Sequence, residues 1–254
     1  MAIIGLDKFA DFFKGYEECY TIIGGTACDI LLSDQPGGFR VTKDIDMIIL
    51  FEDRFEEFAA LFWRFVKEGD YRCGWKNSEE PHFYRFTDPK SGYPVQIELF
   101  SRKSDYHLEA DSGIIPIHID DELSSLSAIM LNDDFYNFML EGRIRRSGVS
   151  ILKASYLIPF KMFAWLNLLE DKAQGKYVNE KDLRKHKNDV FHLLQIIPDD
   201  ETVSVTGDVA DTVDRFSKRI VSENIVFSDL GINTTMEQEL NAMNKTYPIL
   251  SVVC

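Results

Sequence analysis

Asp44 and Asp46 stand two residues apart in KDIDMIIL, at the entrance of a run rich in β-branched and apolar side chains. Alternation along a strand sends both carboxylates to one face, within reach of a single metal site. Paired acidic oxygens of this kind hold divalent cations that activate an attacking oxygen and stabilise a leaving one at phosphorus, with ions ~3.5–4 Å apart in two-metal centres. The same pair also suits a solvated strand end. Upstream, Gly24-Gly25 precedes Thr26. A double glycine between a strand and a helix lets a phosphate approach the backbone N–H groups at the helix N-terminus, with Thr26 adding a hydroxyl donor; it is equally an ordinary tight turn. Downstream, Glu98 is the acid in the apolar segment VQIELF. Gln96, Glu98 and Phe100 share one strand face and Ile97 and Leu99 the other, so Glu98 is either aimed into a site or set on a solvated face.

The elements that must position these residues are legible as periodicities. Leu6, Phe9, Phe12, Phe13 and Tyr16 recur at helical steps between Leu6 and Cys19. Tyr20 to Ile23 reads as a short strand ending at the glycines, and Thr26 to Leu32 as a helix before the turn-rich SDQPGG. Ile45 to Phe51 is nearly continuous in apolar character, as in a strand covered on both faces, and is expected at the centre of a sheet. A helix is expected over Phe55 to Val66, then strands around His82 to Phe86, Val95 to Phe100 and Ile114 to Ile119. After Asp120 the pattern is mostly helical: Leu123 to Leu131, Phe135 to Leu140, Phe160 to Leu169, Asp182 to Ile197 and weaker stretches between Asp208 and Met243. A β-like run, Val149 to Leu152, interrupts it. Pro159 suits the first turn of a helix at Phe160, and Asn179 the N-cap of the next. The expected fold is α+β: a mixed α/β core over residues 1–120 and a mainly helical half over 121–254, with a soft boundary.

At 254 residues the chain is long enough for one large domain or two modest ones, and 45% hydrophobic and 13% aromatic content argues against disorder. Lys and Arg number 28 against 42 Asp and Glu, and the net charge of −14 has the wrong sign for coating nucleic acid non-specifically. The charge is segregated, because Glu141 to Lys187 carries eleven basic and five acidic residues, a local excess of +6 against −20 for the rest. The four cysteines form no CxxC pair, so reduced thiols are expected, and the five histidines are scattered, so a zinc site has no candidate ligand set. The N-terminus lacks the marks of a secretory leader, and no apolar run approaches the ~18 residues of a membrane span, so a cytoplasmic protein without membrane partners is expected. GxxxxGK[ST], HExxH and GxSxG are absent, leaving the usual P-loop kinase and hydrolase plans without residues.

Taken in order, GGTA at Gly24 to Ala27, RVTKDIDMII at Arg40 to Ile49 and the strand acid Glu98 resemble the minimal nucleotidyltransferase fold of the polymerase-beta-like superfamily. PFKMFAWLNLL and KHKNDVFHLL resemble the helical half of the AbiEii-type nucleotidyltransferases, a family known from toxin–antitoxin and phage-abortive systems. The resemblance spans residues 20 to 195. It implies a nucleotidyltransferase-like mixed sheet with flanking helices, and a helical domain that completes the active-site cleft. It also implies transfer of a nucleoside monophosphate from an NTP such as ATP to a hydroxyl, with release of pyrophosphate. Asp44, Asp46 and Glu98 would hold Mg2+ or Mn2+, Glu98 would help deprotonate the acceptor, and Gly24, Gly25 and Thr26 would cradle the β and γ phosphates. Lys161, with Arg40 as a helper, would neutralise triphosphate charge, and Asp189 would face the nucleotide. His192 departs from the pattern, standing where many relatives carry an acid.

Read without the resemblance, Lys161 either serves a site or snorkels from an apolar helix, and Lys185, Lys187 and Asp189 suit a solvated helix face. The basic stretch, with Arg143, Arg145, Arg146, Lys181, Arg184, Lys185 and Lys187, either receives an RNA end such as a tRNA acceptor stem or is solvated. An antitoxin protein is a further partner that the resemblance implies. The alternatives are a non-catalytic nucleotide- or partner-binding protein on the same fold, and transfer to a protein or small-molecule hydroxyl.

Overall fold

Apolar strands flanked by amphipathic helices dominate the first half of the chain, and helices the second, giving an α+β fold. The computed structural model describes residues 3–34, 42–50, 54–73, 85–101, 107–110, 113–116 and 133–248. The chain falls into two units, Met1–Leu123 with Arg143–Leu152, and Ser124–Gly142 with Lys153–Cys254. Among the described residues no helix is long and apolar enough to cross a membrane.

The first unit runs α1 (Leu6–Phe12), β1 (Tyr20–Ile23), α2 (Gly24–Leu32), β2 (Asp44–Ile49), α3 (Phe55–Glu68), β3 (Arg72–Cys73), β4 (Arg85–Thr87), β5 (Gln96–Ser101), β6 (His107–Ala110) and β7 (Gly113–Pro116). It is joined by β8 (Arg143–Arg146) and β9 (Val149–Leu152). Seven strands make one mixed sheet in the order β3-β4-β5-β2-β1-β9-β8, while β6 and β7 pair separately. The apolar run at Ile45 therefore lies at the centre, antiparallel to β1 and parallel to β5. The hairpin β8–β9 belongs to this sheet although it lies within the half that reads as mainly helical. Its turn, Ser147 at φ 52° and Gly148 at φ 76°, is the left-handed pair whose twist matches a two-residue hairpin.

One sheet face carries Tyr20, Met47, Phe86 and Ile97, covered by α1 and α3 through the fully buried rings of Phe9, Phe13, Phe58, Phe62 and Phe65. Ring centroids lie 5.2 Å apart for Phe13–Phe65 and for Phe62–Phe86, in the tilted and edge geometries that add to simple area burial. Much of the phenylalanine content is thus core. Helix α1 ends at Phe12, short of the helical spacing that runs on to Tyr16. The cause is Gly15, whose φ of +87° turns the chain while its N–H donates to the Glu17 carboxylate at 3.0 Å.

The second unit is helical: α4 (Asp133–Glu141), α5 (Ala154–Ala173), α6 (Glu180–Leu194), α7 (Gly207–Ile220) and α8 (Met236–Thr246), with a 3-10 turn at Phe227–Leu230. The helix expected over Leu123 to Leu131 lies outside the described residues. Asn179 caps α6 as expected, accepting from the Lys181 N–H at 3.0 Å, and Thr235 with Gln238 forms a capping box on α8. Trp165 packs edge-on against Phe216, with centroids 5.2 Å apart, as does Phe191 against Phe227 at 5.1 Å.

Pro159 corrects the expectation of a helix start. Helix α5 begins at Ala154, and Pro159 lies inside it. A proline there supplies no N–H to the carbonyl four residues back, which is Ser155. The Tyr247 hydroxyl donates to that carbonyl at 2.6 Å, so the interruption is satisfied by a side chain from beyond α8. Tyr247 is buried, and burial pushes its hydroxyl well above the usual tyrosine range. Ionisation is thus easier unfolded than folded, so this contribution is full below about pH 10 and is lost as pH rises through the folded value. We expect Tyr247→Phe to cost about 1–3 kcal/mol by leaving the Ser155 carbonyl unmet, and to flatten the loss of stability above pH 10. Urea titrations at neutral and alkaline pH check both; a variant as stable as the parent at neutral pH contradicts the assignment.

Candidate active site

The strand–glycine–helix turn and the DxD meet in the first unit. In the antiparallel register of β1 and β2, Ile23 lies opposite Asp46, so Gly24 begins α2 beside that carboxylate. Gly24 has φ +70°, and a Cβ there would overlap the Asp46 carboxylate. Glycine is therefore required twice, by the backbone conformation and by the close approach. Gly25 and Thr26 follow in the first turn of α2, and all three are buried. The Thr26 hydroxyl donates to the Asp44 carbonyl at 2.6 Å and lies 3.2 Å from the Thr42 hydroxyl. It thereby ties the start of α2 to the start of β2.

Asp44, exposed, and Asp46, half-buried, share a face of β2 by alternation. The parallel register with β5 sets Asp44 beside Gln96 and Asp46 beside Glu98. Glu98 is buried at 8% exposure, so its position in the apolar strand is not that of a solvated face. The next strand, β4, places Arg85 beside Glu98, and the Arg85 guanidinium forms an ion pair with Glu98 Oε1. Gln96 Nε2 donates to the same oxygen at 2.9 Å. A buried carboxylate needs such compensation, because desolvation of an unpaired charge costs several kcal/mol.

Asp44 and Asp46 supply the hard oxygen donors that suit Mg2+ or Mn2+, with Gly24 packed directly against the Asp46 carboxylate. The Arg85 guanidinium already stands as a cation on Glu98. Among the described residues no group of three or more His, Cys, Asp or Glu is drawn together as a metal-binding cluster. The donor set thus fits a divalent ion at the aspartates, while Glu98 is held towards Arg85. Sequence reasoning missed Arg85. The available sign was an arginine in the strand-like stretch ending at Phe86, next to a strand with a buried acid.

Lys161 and Asp189 are brought together in the second unit. Lys161 Nζ lies 2.9 Å from Asp189 Oδ2, both side chains are 2% exposed, and the pair links α5 to α6. His192 lies half-buried in the last turn of α6. Arg40 lies outside the described residues.

The basic stretch divides between the units. Arg143 donates to the carbonyls of Glu17 and Glu18 at 3.0 and 2.8 Å, Arg145 pairs with both those carboxylates, and Arg146 with Asp34 at 2.6 Å. Lys181, Arg184, Lys185 and Lys187 lie on α6, where Lys187 pairs with Glu223 at 2.9 Å. Much of the local positive charge is thus matched by acids from elsewhere in the chain. No protein-family model matches the sequence, and no curated protein shows significant similarity to it.

Proposed function

We propose that the chain is a metal-dependent nucleotidyltransferase, moving a nucleoside monophosphate from an NTP to a hydroxyl acceptor. The observation that carries this reading is Gly24 seated against Asp46, with Glu98 next in the same row of the sheet. Such a turn sets backbone N–H groups beside carboxylates suited to a cation, an arrangement that stabilises the charge developing in nucleotidyl transfer at phosphorus. When bound, Mg2+ or Mn2+ supplies Lewis-acid stabilisation of the triphosphate and the leaving pyrophosphate.

Asp44 and Asp46 bind and orient that ion. Gly24 and Gly25 present the first turn of α2 to the β and γ phosphates, and Thr26 acts by holding α2 to β2 through the Asp44 carbonyl. Glu98 takes up the acceptor proton or completes the ion's ligands. Lys161, Asp189 and Arg40 enter from the resemblance to AbiEii-type enzymes alone, which implies that Lys161 and Arg40 counter triphosphate charge. An RNA end is the acceptor to test first, because Lys181, Arg184, Lys185 and Lys187 remain together on α6 and cations of this kind suit a phosphate backbone. An antitoxin partner belongs to the same reading, as does a cytoplasmic location.

The test is incubation of the protein with each α-labelled NTP, Mg2+ or Mn2+ and total bacterial RNA, beside Asp46→Asn. Label entering RNA with the parent and falling by about 100-fold or more with the variant, the scale for losing one stabiliser of developing charge, supports the reading. Label on protein assigns a protein acceptor instead. No transfer by either protein overturns the catalytic reading and leaves a nucleotide- or partner-binding protein, which the existing compensation of Glu98 by Arg85 favours as the second reading.

A further inference from the structure

We infer that Arg85 is an intramolecular competitor for the divalent cation at Glu98: its guanidinium must leave that carboxylate before Glu98 can join Asp44 and Asp46 as a ligand. This rests on the metal-dependent reading above and adds a residue to it.

Three observations meet here. Asp46, Glu98 and Arg85 occupy one continuous row across β2, β5 and β4, so the guanidinium and the aspartates flank Glu98 from opposite sides. Glu98 is buried, and both Arg85 and Gln96 bind its Oε1. A guanidinium stays charged throughout the accessible pH range. Arg85 is thus a permanent counterion, and exchange with a divalent ion would keep the buried carboxylate compensated in both states. Without it, the ion-free protein would carry a buried charge with one fewer partner, a costly arrangement.

The exchange has a quantitative consequence. Where a ligand binds only a fraction of the molecules, its apparent affinity falls by that fraction. Arg85 therefore weakens ion binding at Glu98 and favours a site in which Asp44 and Asp46 load first. A through-space repulsion between Arg85 and any nearby ion would act whether or not residue 98 carried a carboxylate. Exchange requires that carboxylate, and this difference makes the idea testable.

The experiment is Mn2+ titration of the full chain, followed by the electron paramagnetic resonance of unbound Mn2+ and by melting temperature. The proteins are the parent, Arg85→Met, Arg85→Gln, Glu98→Gln, Asp46→Asn and the double variant Arg85→Met/Glu98→Gln. Arg85→Gln is included so that a folded, uncharged variant is measured even if methionine unfolds the site. The expected result is Mn2+ binding about tenfold tighter, or a second bound ion, in the uncharged Arg85 variants, as when the competent fraction rises from about a tenth to nearly all. The gain should vanish when Glu98 is also glutamine. In chelator the Arg85 variants should melt below the parent, and Mn2+ should raise their melting temperature more than the parent's.

Mn2+ binding lost in Asp46→Asn but no tighter in the Arg85 variants overturns the competition and leaves the metal-dependent reading standing. So does a gain that persists with Glu98→Gln, which assigns Arg85 a through-space role only. No Mn2+ bound by any of the proteins overturns the competition together with the reading on which it rests.

Discussion

Lys161→Met and Asp189→Leu are each expected to destabilise the helical unit by about 3–5 kcal/mol, because each removes the ion-pair partner of a buried charge. The pair is 2.9 Å apart with both side chains 2% exposed. Neither charge can recover its lost hydration by moving to solvent without opening the contact between α5 and α6. The double variant Lys161→Met/Asp189→Leu removes both charges and fills the space with apolar atoms, and is expected to recover most of the loss. Replacing a buried pair by packed side chains is often neutral or better. Denaturant unfolding of the four proteins measures this as a coupling energy. Single variants within about 1 kcal/mol of the parent, or a double variant whose loss is the sum of the singles, would contradict it.

That cycle also separates support from function. Lys161 and Asp189 attract a catalytic reading by resemblance, yet their burial as a pair makes them first an interior strut. A folded double variant that binds NTP like the parent assigns them to support alone. One that folds but loses NTP binding returns them to the nucleotide.

Gly24→Ala is expected to have the second large effect, on both stability and transfer. The residue sits at φ +70°, where an L side chain costs about 1–3 kcal/mol. The new methyl would also occupy the position of the Asp46 carboxylate. Either α2 shifts from β1 or Asp46 rotates away, and a displacement of about 1 Å at a reacting centre lowers rates by about 100-fold. Asp46→Asn should lose transfer while keeping the parent's melting temperature closely, since the amide fits the same space. Thermal melting and labelled-NTP transfer on the two variants distinguish the mechanisms. Gly24→Ala with the parent's stability and rate would remove the close approach as the basis of the site.

Much of the site's local architecture was legible because it depends on neighbours in the chain. The run Tyr20 to Ile23 ends at the glycines as expected, although the helix starts at Gly24 and not at Thr26, and Asp44 and Asp46 share a face because a strand has a period of two. The central place of β2 followed from its near-continuous apolar run, since only a strand covered on both faces tolerates it. Errors arose where a local pattern served a distant partner. Pro159 reads locally as a helix start, but α5 runs through it because Tyr247 satisfies the Ser155 carbonyl. The basic stretch reads as one charge block, but β8 carries its arginines into the sheet beside Glu17 and Glu18, and the lysines remain on α6.

By itself the sequence determined the fold class, the strand–glycine–helix turn and the common face of the two aspartates. These are consequences of side-chain periodicity and of glycine's access to positive φ. Only the tertiary structure decided that Glu98 is next to Asp46 and paired with Arg85, that Lys161 meets Asp189, and that Tyr247 completes α5. The reason is physical: the order of strands in a sheet and the helix faces that meet are set by packing the whole apolar surface at once. Lys161 and Asp189 are 28 residues apart, and Tyr247 and Ser155 are 92 apart, so no local period connects them. Burial makes these residues, distant in sequence, obligatory partners, since a charge or carbonyl removed from water must find its counterpart in the fold.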